Sequence, residues 1–249
     1  MNFSGISDKS VVGGLLRLPL RLLPASARMP VLQGPLKGKR WIVGSGNHGC
    51  WLGSYECAKQ KAFSERIRRG DTVFDLGANV GFYSLLASVA AGPEGKVISF
   101  EPVPRNLEYL RAHLRLNKVT NCTIWDAAVG QAEGVGSFTL GSNSSIGHLE
   151  TDAETELKVR IVALDPLVAS GQLPPPDVIK CDIEGGEYDA LRGAAETLAR
   201  YRPLMFLATH GHGVHENCCR FLEQVGYTLT PLDGRTIDQT DEIIAVKKR

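Results

Sequence analysis

Three observations in the amino-acid sequence predict an α/β fold with a mainly parallel sheet, an antiparallel C-terminal hairpin and an N-terminal extension. From about residue 70 onward, short β-branched runs alternate with longer segments of helical periodicity, the pattern of repeated βα units. A glycine-rich turn, Asp75-Leu76-Gly77-Ala78-Asn79-Val80-Gly81, separates the first such run from the first helical segment, where open parallel sheets place their ligands. The 249 residues are 43% hydrophobic and 22% charged, with 27 Gly and 13 Pro. That balance builds a full core and excludes collagen-like and disordered chains.

The first strand is expected at residues 71–76, followed by a helical pattern at 80–91. A second strand at 96–100 leads into a helix at 105–117, where Leu107, Leu110 and Leu114 recur on one face. Residues 122–128 read as a third strand. Residues 136–140 and 157–162 read as extra strands flanking a polar Gly/Ser/Asn loop at 141–147, either a lid or a solvated connection. A buried strand at 178–181 follows Pro174-Pro175-Pro176, then a helix at 188–201, an apolar strand at 204–208 and a helix at 214–225. The tail, 227–232 and 242–246 around Asp233-Gly234, reads as a hairpin that ends the sheet in antiparallel pairing.

The 28 Lys and Arg nearly balance 27 Asp and Glu, which argues against a nucleic-acid partner. Residues 1–40 nevertheless hold seven basic residues against Asp8 alone, a net +6. The expected organisation is therefore a basic extension at 1–50 and a domain at 51–249, with any anionic surface meeting residues 1–40 first. Six cysteines without a CxxC pair point to a reducing, cytoplasmic compartment. The Leu-rich run at 11–23, followed by Ala25-Ser26-Ala27, has the outline of a secretory leader, but Arg17, Pro19, Arg21 and Pro24 interrupt its apolar core. No stretch approaches the roughly 18 apolar residues of a membrane span.

A dinucleotide fingerprint needs glycine where Asn79 stands. Asp75, two residues before Gly77, would repel phosphates and suits a cationic ligand. S-adenosylmethionine carries an ammonium and a sulfonium and no phosphate. Glu101 ends the second strand, 24 residues beyond Gly77, the place from which a carboxylate reaches a ribose. After the third strand, Asp126 offers an acceptor for an exocyclic amine, and Ala127 and Ala128 leave room for an adenine ring. Taken singly, a glycine-rich turn often only tightens a loop and a strand-end acid is usually solvated. Their order along the chain carries the reading.

With Gly53-Ser54-Tyr55-Glu56, Phe74 through Tyr83, Phe100-Glu101-Pro102, Ala127-Ala128-Val129-Gly130 and Ile179-Lys180-Cys181-Asp182-Ile183-Glu184-Gly185-Gly186-Glu187, the chain resembles the FkbM-type class I methyltransferases from about residue 51 to 246. The resemblance implies a Rossmann-like sheet, S-adenosylmethionine as donor, and O-methylation of a sugar, glycan or natural-product hydroxyl. It also implies that the segment ending in Glu56 folds over the donor, against the simpler reading of N-terminal packing. The donor-binding set is then Asp75, Gly77, Asn79, Gly81, Glu101, Asp126, Ala127, Asp182 and Glu56. One position departs from the family pattern: where relatives tend to carry Glu-x-His after the fifth strand, this chain reads Ala208-Thr209-His210.

Methyl transfer is an in-line displacement, so the protein must align the reactants and exclude water. A hydroxyl acceptor also needs a general base or a metal. Asp182, Glu184 and His210 stand at the ends of the fourth and fifth strands and are the catalytic candidates, with His210 as base. The same three are candidate ligands for Mg²⁺, since hard cations favour carboxylates. Glu187, by contrast, is explained by the dipole of the helix it opens. His210, His212, His215, Cys218 and Cys219 invite a zinc reading, but their spacing matches no structural zinc pattern. N-methylation and a non-catalytic donor-binding scaffold are the competing functions.

Overall fold

A computed structural model describes residues 23–139 and 156–247 of the chain. The polar loop expected at 141–147 and nearly all of the run at 11–23 lie outside the described residues. The described chain opens with an antiparallel pair, β1 (Arg28–Pro30) and β2 (Arg40–Ile42), and two helices, α1 (Gly49–Leu52) and α2 (Cys57–Arg66). The hydrophobic pattern predicts none of these. The inward face of α2 carries Lys59 and Gln60 beside Phe63, so polar residues mask its apolar period. Val31, Leu36, Trp41 and Val43 are buried in one cluster with Phe63, Val73 and Phe82, while Arg28, Lys37 and Arg40 stay exposed.

The βα units follow as β3 (Thr72–Leu76), α3 (Phe82–Ala91), β4 (Lys96–Phe100), α4 (Pro104–Leu116) and β5 (Cys122–Trp125). Every residue of β3 is buried, as in a strand covered on both faces. The third strand ends at Trp125 rather than 128, because the Ala127 N–H turns back to the Trp125 carbonyl at 2.9 Å in a three-residue turn. Ala128 and Val129 then form β6 (Ala128–Val129), which joins β7 (Gly134–Thr139) and β8 (Glu156–Val162) in a separate sheet ordered β6-β8-β7.

Next come α5 (Leu164–Ala169) and β9 (Val178–Cys181), then two helices, α6 (Glu187–Arg192) and α7 (Ala195–Tyr201), where one was expected. The break falls at Gly193, where a Cβ would collide with the Gly130 carbonyl. The Gly193 carbonyl accepts the Asp165 N–H at 2.8 Å, and the Asp165 carboxylate accepts the N–H groups of Glu196 and Thr197 at 2.9 and 2.8 Å. An acid from α5 thereby caps the orphan donors of α7. The chain ends with β10 (Leu204–Ala208), α8 (His212–Gln224), β11 (Tyr227–Pro231) and β12 (Glu242–Lys247).

The main sheet is ordered β11-β12-β10-β9-β3-β4-β5. It is parallel from β10 to β5 and antiparallel at β12 and β11, which is the expected Rossmann-like arrangement with its C-terminal hairpin. The chain leaves β3 toward β4 and β5 and returns on the other side at β9. Strand order therefore reverses between β3 and β9, the place where such sheets open a ligand crevice.

Candidate active site

The two strands at the reversal are joined through their carboxyl ends. The Asp182 N–H donates to the Leu76 carbonyl at 3.1 Å. Gly77 has φ +77°, and a Cβ there would press into the Asp182 carbonyl oxygen, so both conformation and space require glycine. Beneath the turn, Lys180 Nζ lies 3.3 Å from Asp75 Oδ1 and donates to the Gly77 carbonyl at 3.0 Å. Asp75 is fully buried and accepts the Ser84 hydroxyl at 2.7 Å. Its charge, expected to face a ligand, is met by Lys180. Burial lowers the Lys180 pKa, but Asp75 and Asp182 outweigh it and hold the ammonium above its ordinary value.

Glu101 ends β4 and is 4% exposed. It accepts the Asn79 N–H at 2.8 Å, the Val103 N–H at 2.9 Å and the Asn106 amide at 3.2 Å. Three of roughly four carboxylate acceptor sites are thus spent on the glycine-rich turn and its surroundings, and burial pushes the Glu101 pKa up. Asn79 is left-handed, and its side chain accepts the Val80 N–H at 2.8 Å. Gly81 precedes α3 and packs against Leu110. Ala127 is buried, whereas Asp126 is exposed and pairs with Arg111 through two 2.6 Å contacts.

The structure adds a charge cluster that the pattern hid. Lys59, buried on α2, places Nζ 2.7 Å from Glu242, 3.3 Å from Asp182 and 3.6 Å from Glu56. The Tyr83 hydroxyl donates to Glu56 at 2.6 Å. Glu242 stands on β12 directly across from Ala208 on β10, so a cross-strand acid lies beside the position where the family pattern carries its own. Burial lowers the Lys59 pKa, but the three carboxylates outweigh it and raise it. Burial raises the Asp182 pKa, but Lys180, Lys59 and His210 outweigh it and lower it. The sequence signal for this cluster is thin, since a lysine inside a helical pattern reads as a solvated face.

His210 follows β10. Its Nδ1 lies 2.8 Å from Glu187 Oε1, and its Nε2 lies 3.7 Å from Asp182 Oδ1 and 3.6 Å from Glu184 Oε2. The hydrogen bond to Glu187 pushes the imidazole up to about 9, well above the near-neutral titration expected of a free histidine. Asp182, Glu184 and His210 bring one ligand atom each to within 4.8 Å of one another, the group among the described residues that could hold a metal ion. The zinc alternative does not assemble. His212 is surface-exposed beside Glu216, while buried His215 contacts Thr209, Ile237 and Cys219.

This fold defines an open α/β protein whose strand order reverses between β3 and β9, where proteins of this class hold their ligands. The chain belongs to the FkbM methyltransferase family, for the sequence model of the "Methyltransferase FkbM domain" matches residues 75–229. It is 27% identical over 136 residues to the hexuronic acid methyltransferase AglP of Haloferax volcanii, covering 54% of this chain and 54% of that protein. It is 27% identical over 163 residues to the 31-O-demethyl-FK506 methyltransferase FkbM of Streptomyces tacrolimicus, covering 52% of this chain and 62% of that protein. The matches thus span between half and two thirds of these curated relatives. The crystal structure of methyltransferase FkbM from Methylobacillus flagellatus KT aligns with a TM-score of 0.50 at 17% identity, over 82% of this chain and 56% of that one. A precorrin-6y C5,15-methyltransferase structure from Geobacter metallireducens GS-15 aligns at 0.50 and 16%, over 78% and 90%. At such identities the two structures speak for the fold. No helix among the described residues is long and apolar enough to cross a membrane.

Proposed function

We propose that this chain transfers a methyl group from S-adenosylmethionine to a hydroxyl of a sugar, glycan or natural product. The observation that carries the reading is that Asp182 meets the glycine-rich turn through its N–H at the β3/β9 reversal and His210 through its carboxylate. Part of the expected donor set keeps a charge that suits the ligand, whereas Asp75 is met by Lys180 and Asp126 by Arg111. Glu56, Asp182, Glu184 and Glu242 gather around the crevice, an environment that repels a pyrophosphate and favours a cation. Family membership supports methyl transfer, and the names of the two relatives, one for a hexuronic acid and one for 31-O-demethyl-FK506, support an oxygen acceptor.

S-adenosylmethionine, when bound, supplies an electrophilic methyl on a positively charged sulfur. Glu101 offers its remaining acceptor site to the ribose, and Asp182 and Glu56 offset positive charge. His210 Nε2 takes the hydroxyl proton once the imidazole is neutral. A second reading rests on the 4.8 Å grouping of Asp182, Glu184 and His210, in which a divalent cation such as Mg²⁺ lowers the hydroxyl pKa.

Calorimetry and kinetics test the proposal together. Glu101→Gln is expected to weaken S-adenosylmethionine by about 10- to 150-fold, the loss of one charged hydrogen bond, while NAD gives no binding heat. His210→Ala is expected to lower kcat by about 10²–10⁴-fold with donor affinity unchanged. In the wild type the rate should climb with pH toward about 9 as His210 loses its proton, and the variant should lack that limb. A wild type that binds no donor rejects the reading. One that binds donor yet methylates no glycan or other acceptor points to a scaffold. Loss of rate to a chelator selects the cation. An unchanged kcat in His210→Ala without chelator sensitivity makes an amine the better acceptor.

A further inference from the structure

We infer that Glu187 is a positioning residue for methyl transfer, fixing which nitrogen of His210 faces the crevice. The inference rests on the methyl-transfer reading above. Complementing a helix dipole does not require an acid to be fully buried or to hold a side chain from another element. Glu187 opens α6 fully buried, and its Oε1 accepts the His210 Nδ1–H at 2.8 Å together with the N–H groups of Gly185 at 3.0 Å and Ile183 at 3.3 Å. Those two amides belong to the loop that carries Asp182 and Glu184, a loop with left-handed backbone at Glu184 and Gly185. One oxygen therefore pins both halves of the site, the ring on one side and the carboxylate-bearing loop on the other.

The other oxygen, Oε2, is buried with no hydrogen-bond partner among the described residues. Such a group is costly and calls for an explanation beyond stability. With Nδ1–H committed to Glu187, the lone pair of a neutral ring sits on Nε2, on the side of Asp182 and Glu184. This is the division of labour by which a buried acid holds a catalytic imidazole in one tautomer. In the step so prepared, the acceptor oxygen forms its bond to the methyl carbon and the carbon–sulfur pair stays with sulfur. The hydroxyl proton moves to Nε2, and Glu187 balances the imidazolium that results.

The test uses the full chain labelled with ¹⁵N. A slowly exchanging ring N–H resonance, assigned to His210 by its loss in His210→Ala, is expected in the wild type and should vanish in Glu187→Ala. Glu187→Gln, which keeps an acceptor oxygen at the same reach, should shift the resonance without abolishing it. Glu187→Ala should lower kcat by about 10- to 100-fold, the usual range for losing a residue that orients a ligating or catalytic group, with the donor Kd unchanged and most of the rate restored in Glu187→Gln. Placed on His210→Ala, the same change should alter kcat by less than about twofold, because the two residues act as a unit. The inference is overturned if the resonance survives Glu187→Ala unshifted, or if Glu187→Ala lowers the rate equally with and without His210. Should Glu187→Ala not fold, an unmoved resonance in Glu187→Gln overturns it as well. Absence of any methyl transfer, with the resonances behaving as expected, instead rejects the functional reading and leaves the Glu187–His210 pair standing.

Discussion

Lys59 shows what a single side chain contributes to this site. Its ammonium is the shared counter-charge of Glu56, Asp182 and Glu242, and it lies in a pocket where only 4% of its side-chain surface meets solvent. Replacing it with an apolar residue of similar length keeps the packing but leaves three clustered carboxylates with one fewer cation. Lys59→Met is therefore expected to cost about 3–5 kcal/mol, the range for breaking a buried pair by removing one partner. A urea titration checks this. A loss below about 1 kcal/mol would mean that water already screens the cluster. The sequence showed Asp182, Glu184 and His210 by their strand-end positions, but not Lys59 or Glu242. Those two reach the site from α2 and β12, elements distant in sequence.

At the scale of elements, the β3/β9 reversal depends on backbone approach. Gly77 combines a φ of +77° with the Asp182 carbonyl in the space a Cβ would take, whereas a Cβ at Gly185, φ +108°, would meet no atom of the described residues within 4 Å. Gly77→Ala should cost both left-handed strain of about 1–2 kcal/mol and overpacking of about 1–3 kcal/mol. Gly185→Ala should cost the strain alone. Denaturation midpoints of the two variants compare the terms directly, and equal losses would contradict the steric account. The divided helix at α6 and α7 obeys the same logic. Its pattern reads as continuous because nothing local to residues 188–201 reveals the Gly130 backbone or the Asp165 cap.

For the molecule as a whole, His113 joins the N-terminal segment to the sheet domain. Its ring is fully buried against Trp41, with centroids 3.7 Å apart. Nδ1 lies 2.7 Å from the Val80 carbonyl, and Nε2 accepts the Ile42 N–H at 3.1 Å. Burial lowers the pKa to about 4 from 6.5, despite the Val80 carbonyl. The unfolded chain therefore binds the proton first. The contribution of the neutral ring is complete above about 6.5 and is lost as pH falls toward about 4. Over that window it amounts to about 3 kcal/mol, at 1.36 kcal/mol per unit. Stability measured by denaturant between pH 7 and pH 4 should fall by more in the wild type than in His113→Gln, and equal slopes would remove His113 from the account.

The sequence by itself determined the alternation of strands and helices from residue 70 onward, the glycine-rich turn, and the strand-end acids. All of these are written in local periodicity and in residue types that only a few backbone conformations accept. Residues 96–100, 178–181 and 204–208 are strands with the bounds their apolar runs predict. Only the tertiary structure decided that Asp75 faces Lys180, that Glu101 spends most of its acceptor capacity on the turn, and that Glu187 holds His210. Each of these depends on which distant group fills the fourth side of a buried polar atom. A carboxylate within a sequence has the same chemistry in water or in a core. Desolvation and the partner that offsets it fix its role, and both arise when β3, β9 and β10 come to lie side by side.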